Sequence, residues 1–160
     1  MKTVAKDVIA SPRVAEAPAT YNAGKVSFVE SCVHGDQVGQ GGVIRALKAG
    51  LPYRELEDLR DLLDLPMDRL AVHLGISRAT LHRRKTAGRL DAGESDRVMR
   101  FGRLLGLSLS VMDSLEQARR WLASPQVGLG GEIPLVYAET EVGAREVEDL
   151  LGRIDSGVYA

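Results

Sequence analysis

The residues best placed to do chemistry sit close together: Ser77, Arg78, Thr80, His82, Arg83, Arg84 and Lys85. Four of them are cationic, and the rest are hydroxyl or imidazole side chains. That mixture suits hydrogen bonding to a polyanion. Arginine can donate a bidentate pair to guanine, whereas the other side chains can hold phosphate oxygens. Bond-breaking chemistry finds no such constellation. The three histidines are His34, His73 and His82, with no His-Glu-x-x-His or Cys-x-x-Cys spacing, so the sequence points to no metal centre and no cofactor. A Gly-x-Ser-x-Gly elbow is absent as well. Adjacent acids such as Glu148 and Asp149 point in different directions on a helix and form no acid/base dyad. The expectation is a binding protein, not an enzyme.

The stretch Met67–Thr86, MDRLAVHLGISRATLHRRKT, is the element that positions these residues. Leu70, Ala71 and Leu74 have helical spacing. Gly75 follows where the chain must turn, Ile76 is an apolar plug, and Ser77 is a good N-cap for a second helix through Lys85. A small residue, a glycine four later and an apolar residue six beyond that give the spacing of a helix-turn-helix, whose second helix enters the DNA major groove. Arg78, His82 and Arg83 should face outward, away from Leu81. Arg84 departs from the pattern, because many such motifs place an aliphatic residue there.

The surrounding chain reads as helical. Val43–Ala49 is a short helix ended by Gly50 and Pro52, and Tyr53–Leu63 carries a stripe of Leu56, Leu59, Leu62 and Leu63. Ala92–Leu105 has an apolar face of Val98, Phe101, Leu104 and Leu105, with Arg97, Arg100 and Arg103 on another edge. Those arginines fit a solvated face or phosphate contacts equally. Ser114 and Gln117 have capping-box spacing before a helix through Leu122, where Trp121 reads as a core anchor. Val127–Glu132 is a glycine loop, and Pro134 opens a short helix through Ala138. Thr140 caps Glu141–Ile154, whose stripe is Val147, Leu150, Leu151 and Ile154. Gly157 stops it before an apolar end, Val158-Tyr159-Ala160. Lys25–Val33 fits a helix or a strand equally well. Residues 1 to about 24 read as an arm rich in Ala, Pro, Thr and Ser, and 35–42 as a glycine linker that matches neither phosphate-binding fingerprint. The expected organisation is all-α: a flexible arm over 1–42, a helix-turn-helix domain over 43–112 and a small helical domain over 113–160.

Charge divides the chain. Residues 67–103 hold nine Lys/Arg against four acids, and residues 113–160 hold four against nine, although the whole carries −1. Opposite charge in two halves suggests two jobs. Cys32 is alone, which suits a reducing compartment. No segment has the apolar length of a signal peptide or a membrane span, so the expected location is the cytoplasm.

Several residue groups after the helix-turn-helix carry a resemblance: Arg89-Leu90 with Glu94-Ser95, Trp121-Leu122-Ala123-Ser124-Pro125, Leu129-Gly130-Gly131 with Pro134-Leu135, and Gly143 to Gly157. Over about residues 43–160 the chain resembles antitoxins of the Xre/MbcA/ParS type, which occur beside RES-domain toxins in bacterial toxin–antitoxin operons. The resemblance implies that the acidic half binds and neutralises a RES-domain toxin, a protein similar to ADP-ribosyltransferases that consumes NAD⁺. It implies occlusion of the toxin's active site by Leu150, Arg153, Ile154, Gly157, Val158, Tyr159 and Ala160. It implies repression of the operon's own promoter through the basic half, as a homodimer within a larger hetero-oligomer. The alternative is a stand-alone helix-turn-helix regulator whose second half dimerises or binds a ligand.

Overall fold

The computed structural model describes residues 27–34 and 40–158. Every regular element among them is helical, apart from two isolated β-bridges. The expected arm over residues 1–24 lies outside the described residues, as do residues 35–39 of the glycine linker.

A 20-residue helix, α6 (Ala92–Val111), is the axis of the molecule. It begins with a reciprocal capping box: Asp91 Oδ1 accepts from Glu94 N at 2.7 Å, and Glu94 Oε2 accepts from Asp91 N at 2.8 Å. Two orphan donors of the first turn are thereby satisfied. Val98, Phe101, Leu104 and Leu105 are buried as their spacing requires. The helix runs six residues past the expected end at Leu105, because Gly106 does not terminate it. A Cβ at Gly106 would lie 2.3 Å from the Cys32 carbonyl oxygen. The glycine permits a close helix crossing, and the surrounding turns keep the helix going.

The crossing partner is α1 (Phe28–His34). The undecided Lys25–Val33 stretch is therefore helical, and its described residues do not behave as an arm. Phe28 and Val29 are fully buried. Glu55, itself buried, accepts from the Ser27 hydroxyl at 2.7 Å and from the Phe28 and Val29 amides at 3.1 Å, satisfying the first donors of α1. This corrects the assignment of residues 1–42 to a flexible arm, since residues 28–34 belong to the core. A second correction concerns the linker over 35–42. The helix α2 (Gln40–Ala49) starts within it, because Gly41 and Gly42 adopt helical geometry ahead of Val43.

Glu55 stands on α3 (Tyr53–Leu63), which buries Leu56, Leu59 and Leu63. The α2–α3 connection is clasped to the chain ahead of α6. Leu90 N donates to Leu51 O, Tyr53 N to Gly88 O, and Leu51 N to the buried Ser95 hydroxyl at 2.7 Å. Gly50 takes φ +84°, and a Cβ there would lie 2.1 Å from Leu90 O. Only glycine meets both demands.

The second half wraps the far end of α6. It comprises α7 (Leu115–Leu122), a 3₁₀ turn (Val127–Leu129), α8 (Pro134–Tyr137) and α9 (Glu141–Asp155). Ser114 Oγ accepts from Gln117 N and Thr140 Oγ1 from Gly143 N, as the caps require. Ala144, Val147, Leu150 and Leu151 face inward along α9. One continuous apolar core runs from Phe28 to Leu151, so the two halves share α6 and do not form separate globules.

Candidate nucleic-acid and partner-binding surfaces

The helix-turn-helix is α4 (Met67–His73) followed by α5 (Arg78–Ala87). Leu70, Ala71, Leu74 and Ile76 are buried between the helices, and Gly75 makes the turn at φ +62°. Ser77 caps α5 by accepting from Thr80 N at 3.2 Å, and its hydroxyl donates to Thr80 Oγ1 at 3.0 Å. No residue of α5 is fully buried. Such a helix contributes little to the core and presents most of its circumference to solvent.

At 3.6 residues per turn, the half-buried Thr80, Leu81 and Arg84 fall on one side of α5. The opposite side centres on Ala79, His82 and Thr86, with Arg78 and Arg83 flanking and Lys85 at the edge. All six are exposed. Arg78 is 86% exposed and touches Asp68 at 3.1 Å, a surface ion pair too weak to withhold it from another anion. Ala79 and Thr86 were missed in the sequence because they carry no charge. The same helical spacing that selects Arg78 and His82 includes them, and a small side chain is what packs against a thymine methyl group.

Arg84 requires correction. Its Nε donates to Glu94 Oε2 and its Nη2 to Asp91 Oδ2, both at 2.7 Å. The side chain lies on the inner side of α5 and ties that helix to the α6 capping box. An aliphatic residue would bury there, whereas arginine neutralises a Glu94 side chain that is only 4% exposed. The Asp91 carboxyl is held below its ordinary value of 3.8, first by the Glu94 amide and further by the Arg84 charge.

Two of the three arginines on the α6 edge are also committed internally. Arg100 pairs with Asp96 at 3.2 Å and Glu141 at 3.0 Å, and Arg103 pairs with Glu148 at 2.7 Å. Burial alone would raise the Glu141 pKa, but the Arg145 hydrogen bond and the Arg100 charge hold it below the usual carboxylate range. His73 of α4 meets Glu139 at 3.0 Å, and Arg119 of α7 donates to the Leu62 and Asp61 carbonyls at the end of α3. Part of the opposite charge of the two halves is thus compensated within the molecule. On α5, Arg83 and Lys85 are exposed and have no ion pair among the described residues, and Arg78 has only its surface contact with Asp68.

The expected partner-binding residues of the second half separate into two groups. Leu150 is buried against Gly128, where an added Cβ would lie 2.5 Å from Leu150 Cδ1. It positions the 3₁₀ turn and offers little surface of its own. Arg153 and Ile154 are half-buried, and Gly157 and Val158 are exposed. Gly157 takes φ +69°, Gly157 N donates to Ile154 O and Val158 N to Arg153 O, which ends α9 and turns the chain back. Tyr159 and Ala160 lie outside the described residues. The sequence also passed over Val127, the most exposed large apolar residue described, at 94%. It sits in an aperiodic glycine loop, where no hydrophobic pattern marks a side chain as outward.

A buried helix-turn-helix frame, an exposed cationic second helix and an acidic helical module locked to it define a DNA-binding protein with an appended interaction module. The family model described as the antitoxin Xre-like helix-turn-helix domain matches residues 42–103. That of the antitoxin Xre/MbcA/ParS C-terminal toxin-binding domain matches residues 109–157. The chain is 31% identical over 120 residues to an antitoxin Xre of Yersinia enterocolitica, covering 74% of this chain and 81% of that protein. It is 29% identical over 116 residues to an antitoxin Xre of Photorhabdus laumondii, covering 71% and 78% respectively. A third antitoxin Xre, from Pseudomonas putida, is 31% identical over 68 residues, covering 42% of this chain and 43% of that protein. The chain belongs to the Xre/MbcA/ParS antitoxin family. The first match ends and the second begins within α6, the helix that both halves share.

Proposed function

We propose that this antitoxin neutralises a RES-domain, NAD⁺-consuming toxin by binding it directly and covering its active site, and that it represses its own operon through α5. The observation that carries the reading is the separation of two exposed surfaces on one rigid core: a cationic face on α5 and an acidic, apolar-tipped end at α9. A pocket that binds the pyrophosphate of NAD⁺ has to be basic, and an acidic partner is steered to it by complementary charge. Occlusion needs no bond-making group on the antitoxin. On the DNA side, one helix-turn-helix gives modest affinity, so a homodimer reading two half-sites is the working unit. No helix among the described residues is long and apolar enough to cross a membrane, and both proposed partners belong in the cytoplasm.

Deleting Gly157–Ala160 tests the toxin side. Those residues lie beyond α9, so the truncated chain keeps its fold and its promoter binding but protects co-expressing cells poorly from the adjacent reading frame's product. Full protection by the truncated chain would move occlusion to α9 itself or to the Gly128–Pro134 loop.

A further inference from the structure

An apolar groove of about 370 Å³ opens between the end of α6, α7, the 3₁₀ turn and the end of α9. Met112, Trp121, Val127, Leu150, Ile154 and Val158 line it. Leu150 forms its floor, and the exposed Val127 and Val158 stand on it as two walls. The polar side chain present, Gln126, is already engaged: its Nε2 donates to the Trp121 and Ser124 carbonyls at 2.9 and 3.0 Å. A groove without convergent polar groups cannot orient a small metabolite, which needs a few placed donors and acceptors. It suits an apolar side chain delivered by a protein.

Charge identifies that protein's surface. Asp113 follows Met112, Asp149 precedes Leu150, Asp155 follows Ile154, and Glu132 is bridged through its backbone to Gln126. None of these four carboxylates has an ion pair among the described residues. Of the cations on α7 and the last turn of α9, Arg120 is paired with Glu116, Arg119 is turned to the Leu62 and Asp61 carbonyls at the end of α3, and Arg153 remains. The surroundings are net acidic. We infer that this groove receives an apolar side chain from a basic surface of the toxin, with Val127 and Val158 closing on it. The inference rests on the toxin-binding reading and assigns it a surface that includes the α7 side, beyond α9 and its tail.

Calorimetric titration with the purified product of the adjacent reading frame tests it, using the full chain. Val127→Asp and Val158→Asp should each weaken binding at least about 30-fold, the scale of a hot-spot residue. Val142→Asp, at an exposed position on the opposite end of α9, should stay within about threefold. Asp149→Lys with Asp155→Lys should slow association at low salt several-fold. Wild-type affinity in both groove variants, or loss confined to Val142→Asp, would overturn the assignment while leaving the toxin reading intact. An unchanged association rate in the lysine variant would overturn the basic character of the partner surface. A lower melting temperature of free Val127→Asp would mean that the chain's own residues fill the groove. If the unaltered chain binds nothing, the toxin reading falls and the groove falls with it.

Discussion

Arg78 and Arg84 are six positions apart and carry the same group, yet their surroundings give them different work. Arg78 sits in solvent beside an exposed Asp68, whereas Arg84 closes a capping box around a buried glutamate. Arg78→Ala with Arg83→Ala should leave the melting temperature unchanged and weaken promoter binding, by roughly 1–3 kcal/mol for each arginine that makes a bidentate base contact. A mobility-shift titration measures this. Arg84→Ala should do the reverse: the fold melts earlier because the Glu94 carboxylate loses its counterion, and binding changes only as folding does. Asp91 adds a pH signature. Its folded pKa lies below 3.8, so its contribution to stability is complete above that value and is lost as pH falls through the folded pKa. Asparagine keeps the cap without a titrating group. Thermal melts from pH 6 down to about pH 2 should therefore fall less steeply for Asp91→Asn than for the parent.

Helix boundaries follow from two competing effects at glycine. In an exposed helix, replacing glycine by alanine gains about 1 kcal/mol. At Gly106 the new methyl group would press on the Cys32 carbonyl at 2.3 Å, and overpacking of that kind costs about 1–3 kcal/mol. Gly106→Ala should thus destabilise the protein, while Gly152→Ala, which meets nothing within 4 Å, should stabilise it. Urea titrations of the two variants give opposite signs. The same competition explains what the sequence could tell. The stripes of α3 and α9, the Ser77 and Thr140 caps and the Gly75 turn are local patterns, and each stands where its spacing places it. Phe28–His34 and the continuation of α6 past Gly106 depend on a crossing between segments about 75 residues apart. Local spacing is silent about such contacts. The inward turn of Arg84 depends in the same way on Glu94, and the outward turn of Val127 on the fold of a loop.

At the scale of the molecule, the two halves are coupled through α6 and through the His73–Glu139, Arg100–Glu141 and Arg103–Glu148 pairs. The core is continuous, so neither half is expected to fold without the other. The charge asymmetry legible in the sequence has two parts: charges paired internally along α6 and α9, and the exposed cations Arg78, Arg83 and Lys85 of α5. The second part faces outward, where DNA can reach it. Raising the salt concentration should therefore weaken promoter binding with a slope set by the few phosphate-contacting cations of each α5, while the melting temperature changes little.

In the proposed function, one small helical protein restrains an NAD⁺-consuming partner by direct contact. The most direct test is to co-express it with the product of the adjacent reading frame, purify the assembly and follow cellular NAD⁺. The expected result is a stable complex containing both chains, with NAD⁺ held at the level of cells lacking the toxin. Depleted NAD⁺ despite a stable complex, or preserved NAD⁺ with no complex formed, would contradict it.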